Sequence, residues 1–200
     1  GLNVTGGSAG AVFGSSANPL RVNTSDLNLG TLGSAFVSNA LAGVYNLAPA
    51  DVVGQNLTLT LAGGLNFNSS SGLVALSVDG LNIDVGGVIT ADAPHVQITS
   101  TGDIAIKAAG FNLTGSVSTA TLTMFASSDI VIDTPIKVTD NGATPNVLVD
   151  IEALGSLTIN ETILADATGS AGASVIVNLQ GGSISGAVNI NNNVSAIARA

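Results

Sequence analysis

Cysteine is absent from the 200-residue chain, and so is tryptophan. Without thiols the fold has neither a disulfide framework nor a cysteine-built zinc site. Aromatic residues make up 3% of the chain and charged residues 8%, the latter against about 25% in an ordinary globular domain. Only Arg21, Lys107, Lys137 and Arg199 are basic, and the formal net charge is −9. Phosphate neutralisation needs clustered Lys and Arg, so nucleic acid is not an expected partner and anionic membrane surfaces are disfavoured. No apolar run approaches the roughly 20 residues of a spanning helix, so no membrane insertion is expected. His95 is the sole histidine, too few for a multi-histidine metal site. The chain opens on Gly1 without an initiator Met or a signal-peptide pattern, as expected of a mature, processed or partial chain.

What is present is aliphatic and small. Hydrophobic residues reach 46%, almost all Val, Ile, Leu and Ala, beside 25 glycines and abundant Ser, Thr and Asn. That hydrophobicity is too high, and the charge too low, for a disordered chain. It suits many short strands joined by turns.

The strands recur. "GDIAIKAAGFNL" from Gly102, "SDIVIDTPIKV" from Ser128 and "GSLTINETILA" from Gly155 share one pattern. Each has Gly or Ser, a polar residue, an apolar-x-apolar triplet, and a second such triplet a few residues on. Their first apolar residues, Ile104, Ile130 and Leu157, define a period of about 26 residues, within the range of solenoid repeats. "QNLTLTLAGGLNF" from Gln55 and "ALSVDGLNIDV" from Ala75 read as looser copies. A third strand keeps the same period: "VQITS" at Val96, "TLTMF" at Thr121, "VLVDI" at Val147 and "SVIVNL" at Ser174.

Alternation sends the two apolar residues of a triplet to one face. One coil of three such strands cannot bury them, but stacked coils can, each strand pairing in parallel with its counterpart one repeat away. The expected fold is therefore an all-β parallel β-helix with three short strands per coil. Parallel stacking sets like on like, so polar ladders are expected outside. Asn82 and Asn112 read as equivalent positions, as do Asp103 and Asp129. At least one of those aspartates should be hydrogen-bonded at a turn or well solvated. A single β-helix domain, or a slice of a longer solenoid, is expected over 1–200, less regular over 1–54 and regular over 55–200. Residues 34–53 have some helical composition, but Gly43, Pro49 and β-branched residues favour strands and loops, with one short helical turn at most. "GLNVTGGSAGAVF" and "VNINNNVSAIARA" at the ends read as strands without a polar cap. Such ends are expected to continue into more rod or to meet other subunits.

"FGSSANPLRVNTSDLNLGT" (13–31) is similar to a spacer of giant bacterial exoproteins of the filamentous-haemagglutinin type, and "GQNLTLTLAGGLNF" and "GDIAIKAAGFNL" resemble their repeats. The resemblance implies a right-handed parallel β-helix, two-partner secretion across an outer membrane, and an elongated adhesive or structural rod at the bacterial surface. The family's amino-terminal secretion domain is not recognisable here.

No catalytic, cofactor-binding or metal-ligating residue is expected, no cofactor is expected, and an enzyme is not expected. The thirteen acids are scattered, with no Asp-Asp pair and no basic cluster beside them, whereas glycoside chemistry needs two carboxylates in defined apposition. His95, near Asp92, reads as an exposed turn residue before a strand. Asp129, Asp133, Asp140 and Asn141 lie near turns and read as solvated rather than as a calcium loop. Thr58, Thr60, Thr121 and Thr123 alternate as an ice-binding face requires, but Ala105, Val131 and Ser77 interrupt the array. Asn-x-Ser/Thr sequons occur at Asn3, Asn23, Asn56, Asn68, Asn112, Asn160 and Asn193, a number read as the chance yield of this composition. The expected function is an extracellular structural or adhesive rod segment, with neighbouring coils or subunits and a host or surface glycan or protein as partners. A self-assembling filament subunit and a polysaccharide-binding or polysaccharide-degrading β-helix are the alternatives.

Overall fold

A computed structural model describes residues 2–6, 12–24, 27–31, 34–47, 53–69, 72–115, 119–169, 172–182 and 186–199. Among these residues there is no helix. The strands are β1 (Leu2–Gly6), β2 (Val12–Phe13), β3 (Leu20–Val22), β4 (Leu27–Thr31), β5 (Ser34–Asn39), β6 (Val44–Leu47) and β7 (Val53–Leu61). Next come β8 (Gly64–Phe67), β9 (Leu73–Val85), β10 (Val88–Ala91), β11 (His95–Ser100), β12 (Ile104–Lys107), β13 (Gly110–Gly115), β14 (Ala120–Ala126) and β15 (Ile130–Asp133). The last are β16 (Ile136–Asp140), β17 (Asn146–Ala153), β18 (Leu157–Ile159), β19 (Ile163–Thr168), β20 (Ser174–Gly181), β21 (Val188–Ile190) and β22 (Val194–Arg199).

They wind into a parallel β-solenoid of about six turns. The first wall holds the opening part of β9 and then β11, β14, β17 and β20. The second holds β5, the later parts of β7 and β9, then β12, β15, β18 and β21. The third is a seven-stranded sheet in the order β22-β19-β16-β13-β10-β8-β6. Every pairing is parallel, and each wall advances by one coil per strand, as the repeat predicts.

The interior is made of columns. Leu57, Leu81, Ile104, Ile130 and Leu157 stack along the second wall, followed two residues on by Leu59, Ile83, Ile106, Ile132 and Ile159. On the first wall Leu76, Ile98, Met124 and Ile151 stack, and on the third Leu65, Ile89, Phe111, Ile136 and Ile163 do so. All of these side chains are buried, so each coil supplies the apolar lid of the coil before it. The Phe67 and Phe111 rings meet inside the tube, centroids 6.5 Å apart and tilted by 44°.

The period is not constant. Tyr45 and Leu65 are partners 20 residues apart (65 − 45), Ile104 and Ile130 are 26 apart (130 − 104), and Ile163 and Val194 are 31 apart (194 − 163). The strands keep their register while the turns absorb the difference. β5 pairs with both β2 and β3, so residues 14–19 loop out of a wall that later coils keep continuous. Phe13 and Val22 pack on the core from that split wall. Within 34–53 the described residues form β5 and β6 with no helical turn; residues 48–52 lie outside the described residues.

One expected equivalence fails. Asn82 pairs with Thr58 and Ala105 on the second wall, whereas Asn112 pairs with Thr90 and Lys137 on the third. The apolar-x-apolar triplet looks the same on all three walls, and in "ALSVDGLNIDV" the corner is too slight to mark the phase. There β9 crosses from the first wall to the second unbroken.

Candidate functional site: a cleft at the corner of two walls

The corner between the first and second walls changes length along the tube. β11 and β12 are joined by Thr101-Gly102-Asp103, and β14 and β15 by Ser127-Ser128-Asp129. In β9 only Asp79 and Gly80 lie between Val78, the partner of Ser100, and Leu81, the partner of Ile104. In β7 only Gln55 and Asn56 occupy that place. The corner thus gains a residue between β9 and β12.

A carboxylate ladder ties the wider corners together. Asp103 Oδ1 accepts the Asp129 N–H at 3.1 Å, and Asp129 Oδ1 accepts the Ser156 N–H at 2.7 Å. Each aspartate therefore satisfies a backbone donor one coil on, which offsets the repulsion expected between stacked carboxylates. Gly155 makes room for it: a Cβ there would collide with Asp129 Oδ1. Ser100, fully buried, holds the corner from within, its hydroxyl within reach of the Asp79 and Asp103 carbonyls at 3.0 and 3.2 Å.

Where the corner widens, a cleft of about 540 Å³ opens to solvent, lined by Phe36, Asn56, Thr58, Asp79, Gly80, Leu81, Asn82, Gly102, Asp103 and Ala105. Phe36, Thr58, Asn82 and Ala105 form one outward column of the second wall. A Cβ on Gly80 would meet Asn56 Oδ1 at 2.5 Å, so a larger residue there would have to displace the Asn56 amide from the cleft. Asp79 Oδ1 accepts the Thr101 hydroxyl at 2.8 Å. No hydrogen bond joins the Asn56 or Asn82 amide to another described residue.

Polar ladders run along the outside of the second and third walls. Along the second wall Lys107 Nζ lies 3.6 Å from Asp84 Oδ2, Asn160 donates to Asp133 at 2.5 Å, and Asn191 donates to Asn160 at 2.6 Å. On the third wall Asn66 donates to Asp92 at 3.0 Å and to Asn46 at 3.3 Å, and accepts from Thr90 at 2.9 Å. The expected ladders exist, through residues other than the Asn82–Asn112 pair.

The remaining sequence candidates are dispersed. His95 is half-buried as the first residue of β11 rather than exposed in a turn. Asp140 is not solvated: it is 1% exposed, with Oδ1 accepting the Gly142 N–H at 2.9 Å and Oδ2 the Asn146 N–H at 3.0 Å. Asp26 and Asp51 lie outside the described residues. Among the described residues no three His, Asp or Glu side chains come together as a metal site. Thr58 and Thr60 lie on the second wall and Thr121 and Thr123 on the first, so they form no common array. Asn23, Asn56, Asn68, Asn112, Asn160 and Asn193 are exposed, and the Asn3 side chain lies outside what is described. Comparison with family models, with curated proteins and with solved structures found no match.

Proposed function

We propose that this chain is a non-catalytic structural segment of an extracellular bacterial rod, whose stiff tube holds adhesive surfaces away from the cell. The carrying observation is the uninterrupted stacking of apolar columns through the seven-stranded third wall, with polar ladders on the outside. A tube stabilised coil by coil can be lengthened without redesign, each coil adding about 4.8 Å. The low charge and the Ser, Thr and Asn-rich faces suit a surface that must pack or adhere without strong fields. The resemblance of "GQNLTLTLAGGLNF" and "GDIAIKAAGFNL" to haemagglutinin-type repeats supports the same reading.

The test is surface accessibility in the producing bacterium. An epitope inserted at Ala143, in the exposed turn after β16, should be stained and cleaved on intact cells, and electron microscopy should show rods of uniform width. An epitope reached only after lysis, or a protein of compact globular outline, would refute the proposal.

A further inference from the structure

We propose that the cleft at the corner of the first and second walls binds a neutral, hydroxyl-rich oligosaccharide. The inference rests on the rod reading, in which the walls carry the contacts, and adds to it a site and a ligand class. Asn56 and Asn82 present amides with no described partner, each able to donate and accept. Asp79 and Asp103 each spend Oδ1 on a neighbour and keep Oδ2 to accept a ligand hydroxyl. The cleft thus offers both donors and acceptors, as sugar hydroxyls require. Phe36, half-buried at one end, and Ala105 at the other supply apolar surface for the C–H faces of the rings.

Size and charge narrow the class. The cleft spans four coils, from β5 to β12, so three strand spacings give a length of roughly 14 Å. Its volume of about 540 Å³ lies in the range of small-molecule sites. Among the described residues, Asp79 and Asp103 are its only charged lining. Sulfated, sialylated or uronic chains would meet those carboxylates with no cation in the lining to offset them. A peptide would need an unpaired strand edge or a deep apolar groove, and the strands beneath the cleft are paired on both sides.

Backbone-amide NMR of the purified chain tests this, and the natural glycan need not be identified. The probes are cellotriose, chitotriose, a mannotriose, a sulfated heparin fragment and Ca²⁺ alone. At least one neutral trisaccharide should shift the resonances of Asn56, Thr58, Gly80, Asn82 and Asp103. Asn82→Ala and Phe36→Ala should each weaken that binding about tenfold, while Thr158→Ala, further along the same wall, should leave it unchanged. No shift at the cleft with any neutral probe, tighter binding of the sulfated fragment, or the same shifts from Ca²⁺ alone would each overturn the proposal. The wild-type map carries the result even where a variant folds poorly. A cleft that binds none of the probes would leave the rod reading intact, since that is judged by exposure on the cell.

Discussion

Asp140→Ala should be among the most damaging polar substitutions in the chain. Asp140 ends β16 with its carboxylate turned inward, 1% exposed, and its two oxygens close the turn by taking the N–H groups of Gly142 and Asn146 at 2.9 and 3.0 Å. Hydrogen bonds to a charged group contribute about 1.5–3 kcal/mol each. The two bonds share one carboxylate, so their contributions do not add in full. The net loss expected in the alanine variant is therefore about 2–4 kcal/mol, and near 2–4 °C of melting temperature per kcal/mol follows for a chain of this length. Asp140→Asn is not a conservative rescue. The amide keeps one acceptor and turns an N–H₂ group towards the second backbone donor, so it should recover less than half of the loss. Denaturant unfolding followed by circular dichroism gives the free energies. Hydrogen exchange at the Gly142 and Asn146 amides gives the local reading, which matters because solenoids unfold in parts. An alanine variant within about 0.5 kcal/mol of wild type, with both amides still protected, would refute the cap.

Three further outcomes follow from the packing. Tyr45 is 2% exposed and its hydroxyl has no hydrogen-bond partner among the described residues, so Tyr45→Phe should raise stability by about 1 kcal/mol or leave it unchanged. Burial pushes the Tyr45 pKa up. The folded state therefore holds its proton where the unfolded state, ionising near 10, releases it. Wild-type stability should fall as pH rises above about 10, and Tyr45→Phe should lose that part of the slope; an equal change in unfolding free energy between pH 9 and pH 11 in both proteins, from urea titrations, would contradict this. Ile132→Ala, inside the second-wall column, should cost about 2–5 kcal/mol, while Val131→Ala on the outward side should cost under about 0.5 kcal/mol; comparable losses would mean the inside-outside assignment is wrong. Asp129→Ala removes the acceptor of the Ser156 N–H and should cost about 1 kcal/mol, recovered by Asp129→Asn in the same unfolding assay.

How legible the molecule is from sequence depends on which residues repeat. Ile104, Ile130 and Leu157 are direct partners, and so are Val96 and Leu122, because burial forces the same apolar positions onto every coil. Architecture and register are therefore readable wherever turns are well marked. Phase is not readable at 75–85, since Asp79-Gly80 turns a corner inside a strand and leaves no break in the alternation. Asp140 misleads for a related reason: "TDNG" has turn chemistry whether its carboxylate faces water or closes the turn from within, and only the three-dimensional course of residues 141–146 decides. The cleft has no sequence signal at all. Phe36, Thr58, Asn82 and Ala105 are separated by intervals of 22, 24 and 23 residues (58 − 36, 82 − 58, 105 − 82) and become neighbours only once the tube is wound. Outward residues are free of the packing constraint that makes the inward ones repeat. A solenoid therefore advertises its scaffold in the periodic part of its sequence, while any recognition surface must be built from the aperiodic part. That is why a corner that gains one residue between β9 and β12 is a better guide to a binding site here than any motif.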